Sequence, residues 1–205
     1  MLFVTFEGVE CSGKTLQSKK LLEYCNQKNI PAILLREPGT TEVGEQLRKI
    51  LLTQYCTSLT EFFILSASRA QLTETIIQPK LKEGIIVICD RYFHSSLVYQ
   101  GYGRNLNILD LQEISKKATL ELQPSKTFLL KPSFQTTTRR LQEKITSGLD
   151  RIELENTDFH QRIYDGYLEL SSQYNYISIV DGDPNPDTIH KQILIDLQQT
   201  DTRFL

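Results

Sequence analysis

The stretch that decides the fold is Gly8-Val9-Glu10-Cys11-Ser12-Gly13-Lys14-Thr15. It matches the phosphate-loop pattern G-x-x-x-x-G-K-[ST] at every fixed position. The apolar run 2–6 before it predicts a buried strand, and the good helix formers of 15–28 predict a helix. This order of elements turns backbone N–H groups and the positive end of a helix toward an anion. The stretch therefore predicts a nucleoside triphosphate site, in which Lys14 meets the phosphates and the Thr15 hydroxyl meets Mg²⁺. The alternative is a glycine-rich turn with a surface lysine.

The rest of the chain alternates short apolar runs with longer helical patterns. Strand-like runs occupy 2–6, 32–35, 85–89, 126–130 and 176–180. Helical patterns occupy 15–28, 41–51, 59–81 with a kink or break near Pro79, 108–122, 135–144, 155–174 and 187–199. Strands that alternate with helices predict an α/β fold with a parallel sheet between two helical layers. We expect a P-loop NTPase-type three-layer α/β/α fold with a five-stranded parallel sheet, forming one domain over 1–205.

Composition excludes several classes of protein. The 205 residues are 40% hydrophobic and carry a net charge of −2, so no positive field recruits nucleic acid or an anionic membrane. The longest apolar runs are far too short to span a bilayer. The first strand begins at once, which leaves no room for a signal peptide. The four cysteines lack metal-type spacing. We expect a reduced, cytoplasmic protein without nucleic-acid or membrane partners.

Charged residues follow the predicted strands directly. Arg36 and Glu37 follow the second strand, and Asp90 and Arg91 follow the third. The ligand crevice of an open parallel sheet lies beyond the carboxyl ends of its strands. A charge next to a buried strand is costly unless it is paired or used. These residues therefore indicate a functional edge of the sheet.

Several short motifs follow one another along almost the whole chain. They are the phosphate loop with Glu10 inside it, Arg36-Glu37-Pro38-Gly39, Ser68-Arg69-Ala70-Gln71, Asp90-Arg91-Tyr92 with Tyr99-Gln100-Gly101, and Leu149-Asp150-Arg151-Ile152-Glu153. In this order they resemble the thymidylate kinase family, and most closely its bacterial form, in which a lid rather than the phosphate loop supplies an arginine. The resemblance implies Mg²⁺-dependent phosphoryl transfer from ATP to dTMP, giving dTDP and ADP for DNA precursor synthesis. It also implies a homodimer packed through helices away from the site, and a lid over about 139–153. The pattern along the chain separately predicts a mobile segment near 145–152.

The resemblance assigns the phosphate chemistry to particular residues. ATP would bind Gly8, Val9, Glu10, Cys11, Ser12, Gly13, Lys14, Thr15 and Arg140, with adenine near 181–184. Catalysis would fall to Lys14, Arg91, Arg151 and Glu10, and Mg²⁺ to Thr15 and Asp90. Arg151 would close over the transferring phosphoryl group as an arginine finger. Arg139 or Arg140 would share that work, the alternative being a solvated helix charge. For Asp90 the alternative is an ion pair, and for Glu10 a solvent-facing carboxylate.

The resemblance also implies an acceptor site for dTMP. Its residues would be Glu10, Arg36, Arg69, Arg91, Ser96, Tyr99 and Gln100. Arg36 and Arg91 would hold the phosphate, Arg69 and Ser96 would contact the base, and Tyr99 would crowd out a ribose 2′-hydroxyl. The alternatives are surface salt bridges for Arg36 and Arg91, a position on the helix surface for Arg69, and an ordinary core position for Tyr99. Leu65 stands where relatives carry a stacking phenylalanine, so either Leu65 covers the base or Phe62 or Phe63 replaces it.

Three other interpretations compete with this one. A deoxynucleoside kinase would need no cations for an acceptor phosphate, whereas Arg36 and Arg91 favour a monophosphate. A nucleotide-dependent switch would carry a guanine-reading Asn-Lys-x-Asp motif, and the sequence contains none. A catalytically dead relative would lack part of the phosphate machinery, but Lys14, Thr15, Asp90 and Arg91 are all present.

Overall fold

The computed structural model describes residues 1–144, 151–152 and 154–205. The strands are β1 Phe3–Glu7, β2 Ala32–Arg36, β3 Ile86–Asp90, β4 Lys126–Lys131 and β5 Ile177–Asp181. The helices are α1 Lys14–Gln27, α2 Glu42–Thr53, α3 Ser58–Leu72, α4 Gln78–Lys82, α5 Phe93–Ser96, α6 Ile108–Ala118, α7 Phe134–Lys144, α8 Thr157–Ser171 and α9 Pro186–Gln198. Two π-helical segments, Thr73–Ile77 and Leu97–Gly103, and a 3₁₀ turn at Thr202–Phe204 complete the described part. The predicted mobile segment falls largely on residues outside it.

Strand order fixes where the site lies. Among the described residues the strands form one sheet in the order β2-β3-β1-β4-β5, and every neighbouring pair is parallel. The predicted five-stranded parallel sheet is confirmed. From β1 the chain moves toward the β2 edge of the sheet, whereas from β3 it moves past β1 in the opposite direction to β4. The direction of the connections therefore switches at the neighbouring strands β1 and β3. Their carboxyl ends, at Glu7 and Asp90, open the crevice in which such folds bind ligands.

Successive side chains of the strands pack alternately into two separate hydrophobic cores, one on each face of the sheet. Phe3, Val87 and Cys89 are buried on one face together with α3, α6 and α8. On the other face Val4 and Phe6 are buried together with α1 and α9. Because both faces are covered by helices, the central strands carry nearly continuous apolar sequence. The three-layer arrangement predicted from the sequence is confirmed.

Two helical regions differ from the sequence-based expectation. The stretch predicted to kink or break near Pro79 continues from α3 into α4, through the π-helical turn Thr73–Ile77 that precedes the proline. The segment Phe93–Gly103 is helical, although no helical pattern was predicted for it. Tertiary packing outweighs propensity there: a Cβ on Gly103 would lie 2.7 Å from the Phe159 ring, so the missing side chain permits close contact with α8.

No helix within the described residues is long and apolar enough to cross a membrane.

Candidate active site

The phosphate loop folds around the amino group of Lys14. Gly8 and Gly13 have φ of 140° and 98°, and a Cβ at Gly8 would lie 2.5 Å from the Leu130 carbonyl oxygen. Only glycine suits such positions, and they turn the chain sharply between β1 and α1. The Lys14 Nζ donates to the Val9 carbonyl at 2.6 Å and to Ser12 Oγ at 3.3 Å. Burial, reinforced by the nearby charge of Arg91, lowers the pKa of Lys14 to about 8.

Thr15 and Asp90 bring two oxygens together beside this loop. Thr15 Oγ1 donates to Asp90 Oδ2 at 2.5 Å, which joins the start of α1 to the end of β3. Hydroxyl and carboxylate oxygens are the ligands that Mg²⁺ prefers, and this ion usually takes one or two protein ligands with substrate phosphates and water. The pair therefore fits the Mg²⁺ role predicted for both residues. No group of three acidic, histidine or cysteine ligands occurs in the described part of the chain.

Arg91 lies between the phosphate loop and the next cavity. Its φ is 74°, an unusual value for a non-glycine residue and one that clusters at functional sites. Arg91 Nη1 donates to the carbonyl oxygen of Gly8 at 3.1 Å, and it also donates to Ser95 Oγ and the Tyr167 hydroxyl. The second terminal nitrogen, Nη2, donates to Glu10 Oε1 at 2.6 Å and to the Tyr99 hydroxyl at 3.1 Å.

Glu10 occupies an anionic position next to this guanidinium. Burial alone would raise the pKa of Glu10, but the charges of Arg91 and Lys14 lower it to about 2. The Tyr99 hydroxyl also donates to Glu10 Oε1 at 3.0 Å. The sequence-based alternative of a solvent-facing Glu10 carboxylate does not describe this geometry, and Tyr99 is a buried residue whose hydroxyl belongs to the site.

A second carboxylate, Glu7, was not among the candidate residues. It is buried at the end of β1, where it accepts from the Tyr92 backbone N–H at 2.8 Å, from Ser95 Oγ at 2.6 Å and from the Tyr167 hydroxyl at 3.0 Å. Burial raises its pKa. Ser95 and Tyr167 also receive hydrogen bonds from Arg91, so Glu7 orients the groups that hold that guanidinium. The signal in the sequence was an acidic residue ending a strand of otherwise uncharged residues.

A cavity of about 850 Å³, counting its open mouth, adjoins Arg91. We call it the Arg69 cavity. It is lined by Glu10, Glu37, Pro38, Arg48, Leu51, Leu52, Glu61, Leu65, Arg69, Arg91, Tyr92, Ser95, Ser96, Tyr99, Gln100, Arg151 and Ile152. Arg69 is fully buried in its wall, so the alternative of a helix-surface arginine does not hold. Arg69 Nη2 donates to Ser96 Oγ at 2.9 Å, and its Nε donates to Glu37 Oε2 at 2.8 Å. Burial raises the pKa of Glu37 to about 7 despite this contact.

The apolar wall of the Arg69 cavity contains Leu65 rather than a phenylalanine. Phe62 is buried in the core, and Phe63 is half exposed on the other side of α3. Neither lines the cavity, so no phenylalanine replaces Leu65 there. Leu51 and Leu52 of α2 also line the cavity, so the three leucines together give its wall an aliphatic surface.

Arg36, predicted to hold the acceptor phosphate, does not line the same cavity as Arg91. Arg36 lies outside the lining of the Arg69 cavity, and its Nη2 pairs with Glu45 Oε1 at 2.6 Å on the surface, the alternative foreseen for it. Arg48 of α2, which the sequence did not single out, lines the cavity instead and donates to the Pro38 carbonyl at 3.3 Å. An acceptor role for Arg36 stays a prediction.

Arg151 also lies in the Arg69 cavity. Its Nη1 pairs with Glu61 Oε1 at 2.6 Å, and its Nε donates to the Leu51 carbonyl. The structure thus places this predicted arginine finger beside Glu61 rather than on the phosphate loop. The neighbouring residues 145–150 and 153, which complete the predicted lid, lie outside the described part of the chain.

The two arginines of α7 differ sharply. Arg140 Nη1 donates to the Cys11 carbonyl of the phosphate loop at 3.3 Å, and its Nη2 donates to the Gly182 carbonyl at 3.1 Å. Arg140 therefore bridges the loop and the turn predicted to hold adenine. Arg139 is exposed and pairs with Glu143 one helical turn away. For Arg139 this is the solvated helix charge given above as the alternative.

Comparisons with known proteins find one family. The family model described as thymidylate kinase matches residues 6–193. A thymidylate kinase of Fervidobacterium nodosum is 37% identical over 94% of this chain and 96% of its own. One of Chlorobaculum parvum is 39% identical over 96% of this chain and 95% of its own. A crystal structure of thymidylate kinase from Ehrlichia chaffeensis has a TM-score of 0.79 and 27% identity, and covers 96% of this chain and 98% of that one.

Fold and site together define a P-loop phosphotransferase that acts on a nucleotide. The chain belongs to the thymidylate kinase family, whose members phosphorylate dTMP to dTDP with ATP in DNA precursor synthesis.

Proposed function

We propose that this chain carries out its family's reaction in the crevice between the phosphate loop and the Arg69 cavity, with ATP on the loop and dTMP in the cavity. The observation that carries the proposal is the position of Arg91. Its Nη1 donates to the Gly8 carbonyl of the loop, and its Nη2 donates to Glu10 and Tyr99 in the cavity wall. A cation at that boundary neutralises the charge that develops as a phosphoryl group passes from one side to the other.

On the donor side, the loop and Lys14 hold the ATP phosphates. Backbone N–H groups at the start of α1 face an anion, and the Lys14 ammonium adds a full charge. The Thr15 hydroxyl and the Asp90 carboxylate would hold Mg²⁺, which supplies charge neutralisation on the phosphate oxygens when bound. Lys14 meanwhile contacts the loop itself, through Val9 and Ser12, which keeps its ammonium near the phosphate nest before the nucleotide arrives.

On the acceptor side, the dTMP phosphate is itself the nucleophile and is already ionised. Catalysis therefore needs alignment and charge neutralisation rather than a general base. Arg91 would hold this phosphate, and the anionic Glu10 would give up its place on Nη2 and turn toward the sugar or the metal shell. Arg69 and Ser96 would contact the base, and Tyr99 would lie against the sugar.

Transfer also needs a cation over the migrating group. Arg151 is our proposal for that arginine finger, worth roughly 10³–10⁵ in rate in related phosphoryl transfers. Its contact with Glu61 would then belong to the protein before both nucleotides are bound. The single kinase domain over 1–205, with a lid over about 139–153, remains part of the proposal.

Arg140 provides a specific test of the donor side. Replacing Arg140 with alanine should raise the KM for ATP about tenfold, because the loss removes a cation and two hydrogen bonds that tie the loop to the turn at Gly182. The matched control is Arg139→Ala on the same helix, which should leave the KM for ATP within a factor of two. Equal effects of the two substitutions would remove Arg140 from the ATP site.

The oligomeric state and the cellular compartment are proposed from the family resemblance and the composition. We propose a cytoplasmic homodimer without nucleic-acid or membrane partners. Leu59 and Phe63 support the dimer, since they lie four residues apart on α3 and are about half exposed. Sedimentation equilibrium should give twice the chain mass of 23.6 kDa, and a monomer at micromolar concentration would contradict the dimer.

The reaction itself is tested by ADP release with ATP and Mg²⁺ against a panel of acceptors: dTMP, dUMP, dCMP, AMP, UMP and thymidine. We expect the highest kcat/KM with dTMP. Turnover of thymidine in preference to dTMP would indicate a nucleoside kinase and would contradict the acceptor-phosphate role of Arg91. Preference for another monophosphate would leave the phosphate chemistry in place and contradict the base contacts.

A further inference from the structure

A buried carboxylate in the wall of the Arg69 cavity has no role in the reaction described above. Glu61 of α3 has a side chain that is only 2% exposed. Its oxygens receive Arg151 Nη1 at 2.6 Å, Arg104 Nε and Nη2 at 3.4 Å, and the Gln100 amide nitrogen at 3.3 Å. Burying a carboxylate is costly unless it is paired and hydrogen-bonded, and here two arginines pair with it while the Gln100 amide adds a hydrogen bond. Two of these three side chains, Gln100 and Arg151, also line the cavity.

The contact with Glu61 decides which way the Gln100 amide faces. An amide group has a donor end and an acceptor end, and a carboxylate accepts only. The donor end of Gln100 must therefore turn toward Glu61, because its oxygen would be repelled there. The acceptor, Oε1, is left on the other side of the amide, buried and without a partner among the described residues.

Arg69 has a matching atom of the opposite kind. Its Nε and Nη2 are engaged by Glu37, Ser96 and the Tyr92 carbonyl, whereas the buried Nη1 has no partner among the described residues. A buried polar atom without a partner is unfavourable unless a ligand supplies one. Arg69 and Gln100 line the same cavity, so its wall contains the unused donor Arg69 Nη1 and the unused acceptor Gln100 Oε1. A further unused acceptor, Glu37 Oε1, belongs to the carboxylate that already pairs with Arg69 Nε.

A cavity wall with an unused donor and an unused acceptor favours one arrangement of donor and acceptor on a pyrimidine edge. Thymine and uracil present an O4 acceptor next to an N3–H donor, which complements Arg69 Nη1 and Gln100 Oε1. Cytosine presents an amino donor next to a bare N3 acceptor, the reverse arrangement. With cytosine both buried atoms would stay unpaired, and such mismatches give strong discrimination.

We infer that Glu61 is a positioning residue for base selection: it holds the Gln100 amide with its oxygen available to a base N3–H, and so favours a pyrimidine with an N3–H over cytosine. This inference rests on the proposed function of the cavity. Glu61 itself need not touch the nucleotide, since it acts through Gln100. Arg104 also pairs with the Glu61 carboxylate, and its Nη1 pairs with Glu155 Oε1 at 2.6 Å.

The test is Glu61→Gln, which keeps the shape and removes the obligatory acceptor. The new amide oxygen would be taken by the guanidinium of Arg151 or Arg104, so its NH₂ would face Gln100 and turn that amide around. We expect the ratio of kcat/KM for dTMP to that for dCMP to fall about tenfold or more, through a higher KM for dTMP and a lower one for dCMP. Calorimetric titration of both nucleotides, without ATP, should show the same change in binding.

Two further variants separate this role from a structural one. Glu155→Gln changes a carboxylate that also pairs with Arg104 but is not a partner of Gln100, and it should leave the base ratio unchanged. Gln100→Met should lower the ratio by itself, and adding Glu61→Gln to it should lower the ratio no further. An unchanged ratio in a folded Glu61→Gln protein would overturn the inference, as would a full additional loss in the Gln100→Met background. If Glu61→Gln does not fold, an unchanged ratio in Gln100→Met has the same consequence.

Failure of the proposed function gives a different result. The wild-type protein would then show no preference for dTMP over dCMP, before any substitution is made. An effect of Glu61 exerted only through Arg151 is also distinguishable, because it would lower kcat for every acceptor equally and leave the base ratio unchanged, which contradicts the inference.

Discussion

Replacing Lys14 with methionine is expected to lower kcat/KM for ATP by about 10³-fold or more, because the ammonium is the cation that the phosphate loop itself supplies to the donor phosphates. Methionine keeps most of the side-chain volume. Since burial disfavours the charged form of Lys14, losing that charge should not destabilise the folded protein, and its thermal midpoint should stay the same or rise. Steady-state kinetics and a thermal melt measure both expectations.

Lys19 offers a matched control on the same helix. It is exposed on α1, five residues beyond Lys14, and Lys19→Met should leave kcat/KM within a factor of two. Near-normal turnover of Lys14→Met would contradict the assignment of the loop as the donor site. A large loss shared by both variants would point to a general effect of charge removal from α1.

The lowered pKa of Lys14 adds a pH signature. With a pKa of about 8 in the free protein, Lys14 loses its proton as the pH rises from 7 to 9. A bound triphosphate favours the charged form, so ATP affinity should weaken as the pH rises through 8, and binding at pH 9 should take up a proton. Calorimetry in buffers of different ionisation enthalpy measures this uptake. The Lys14→Met protein should show neither effect.

Short stretches of sequence correctly predicted the features that depend only on the local backbone conformation. The phosphate loop, the strands before it and after α1, and Asp90 at a strand end all follow from short patterns, and the sheet confirms the order of elements. Arg69 is a different case. Nothing in its own helix marks it as buried, and only the resemblance directed attention to it. Its burial depends on Glu37, 32 residues away, and on Ser96, 27 residues away.

The missed residues share a physical cause. Glu7 and Glu61 are carboxylates that polar or charged side chains from other elements surround, so their importance lies in partners far along the chain. A single sequence gives no information on which charges meet. The same limit explains why the surface pairing of Arg36 with Glu45 of α2 was not the expected role. It also explains why Arg48 was missed, because its position in the cavity wall depends on how α2 packs.

The second large effect should come from Arg91. Replacing Arg91 with lysine is expected to lower kcat about 10³-fold and to raise the KM for dTMP, while the KM for ATP changes less. A guanidinium offers planar donors in a fixed fork, whereas an ammonium is a point charge on a flexible stem. Lysine cannot span Gly8 on one side and Glu10 with Tyr99 on the other, so the charge no longer lies at the boundary between the two nucleotides. Steady-state kinetics with each substrate varied in turn separates the two KM values.

Arg91 also controls the acid stability of the protein. The charges of Arg91 and Lys14 overcome the effect of burial and lower the pKa of Glu10 from its ordinary 4.5 to about 2. A carboxyl whose pKa is lowered in the folded state stabilises the fold above pH 4.5 and loses that contribution as the pH falls toward 2. Arg91→Ala should lose much of this contribution, so its thermal midpoint should differ from that of the wild type more at pH 7 than at pH 3.

A substitution elsewhere in the molecule tests whether these effects belong to the site. Arg162 of α8 donates to the Gly103 carbonyl outside the Arg69 cavity, so Arg162→Lys should leave kcat and both KM values within a factor of two. A comparable kinetic loss in both variants would mean that lysine fails for structural reasons alone. Retention of kcat in Arg91→Lys would contradict the bridging role, because it would show that a point charge suffices where the structure places a guanidinium that joins both halves of the site.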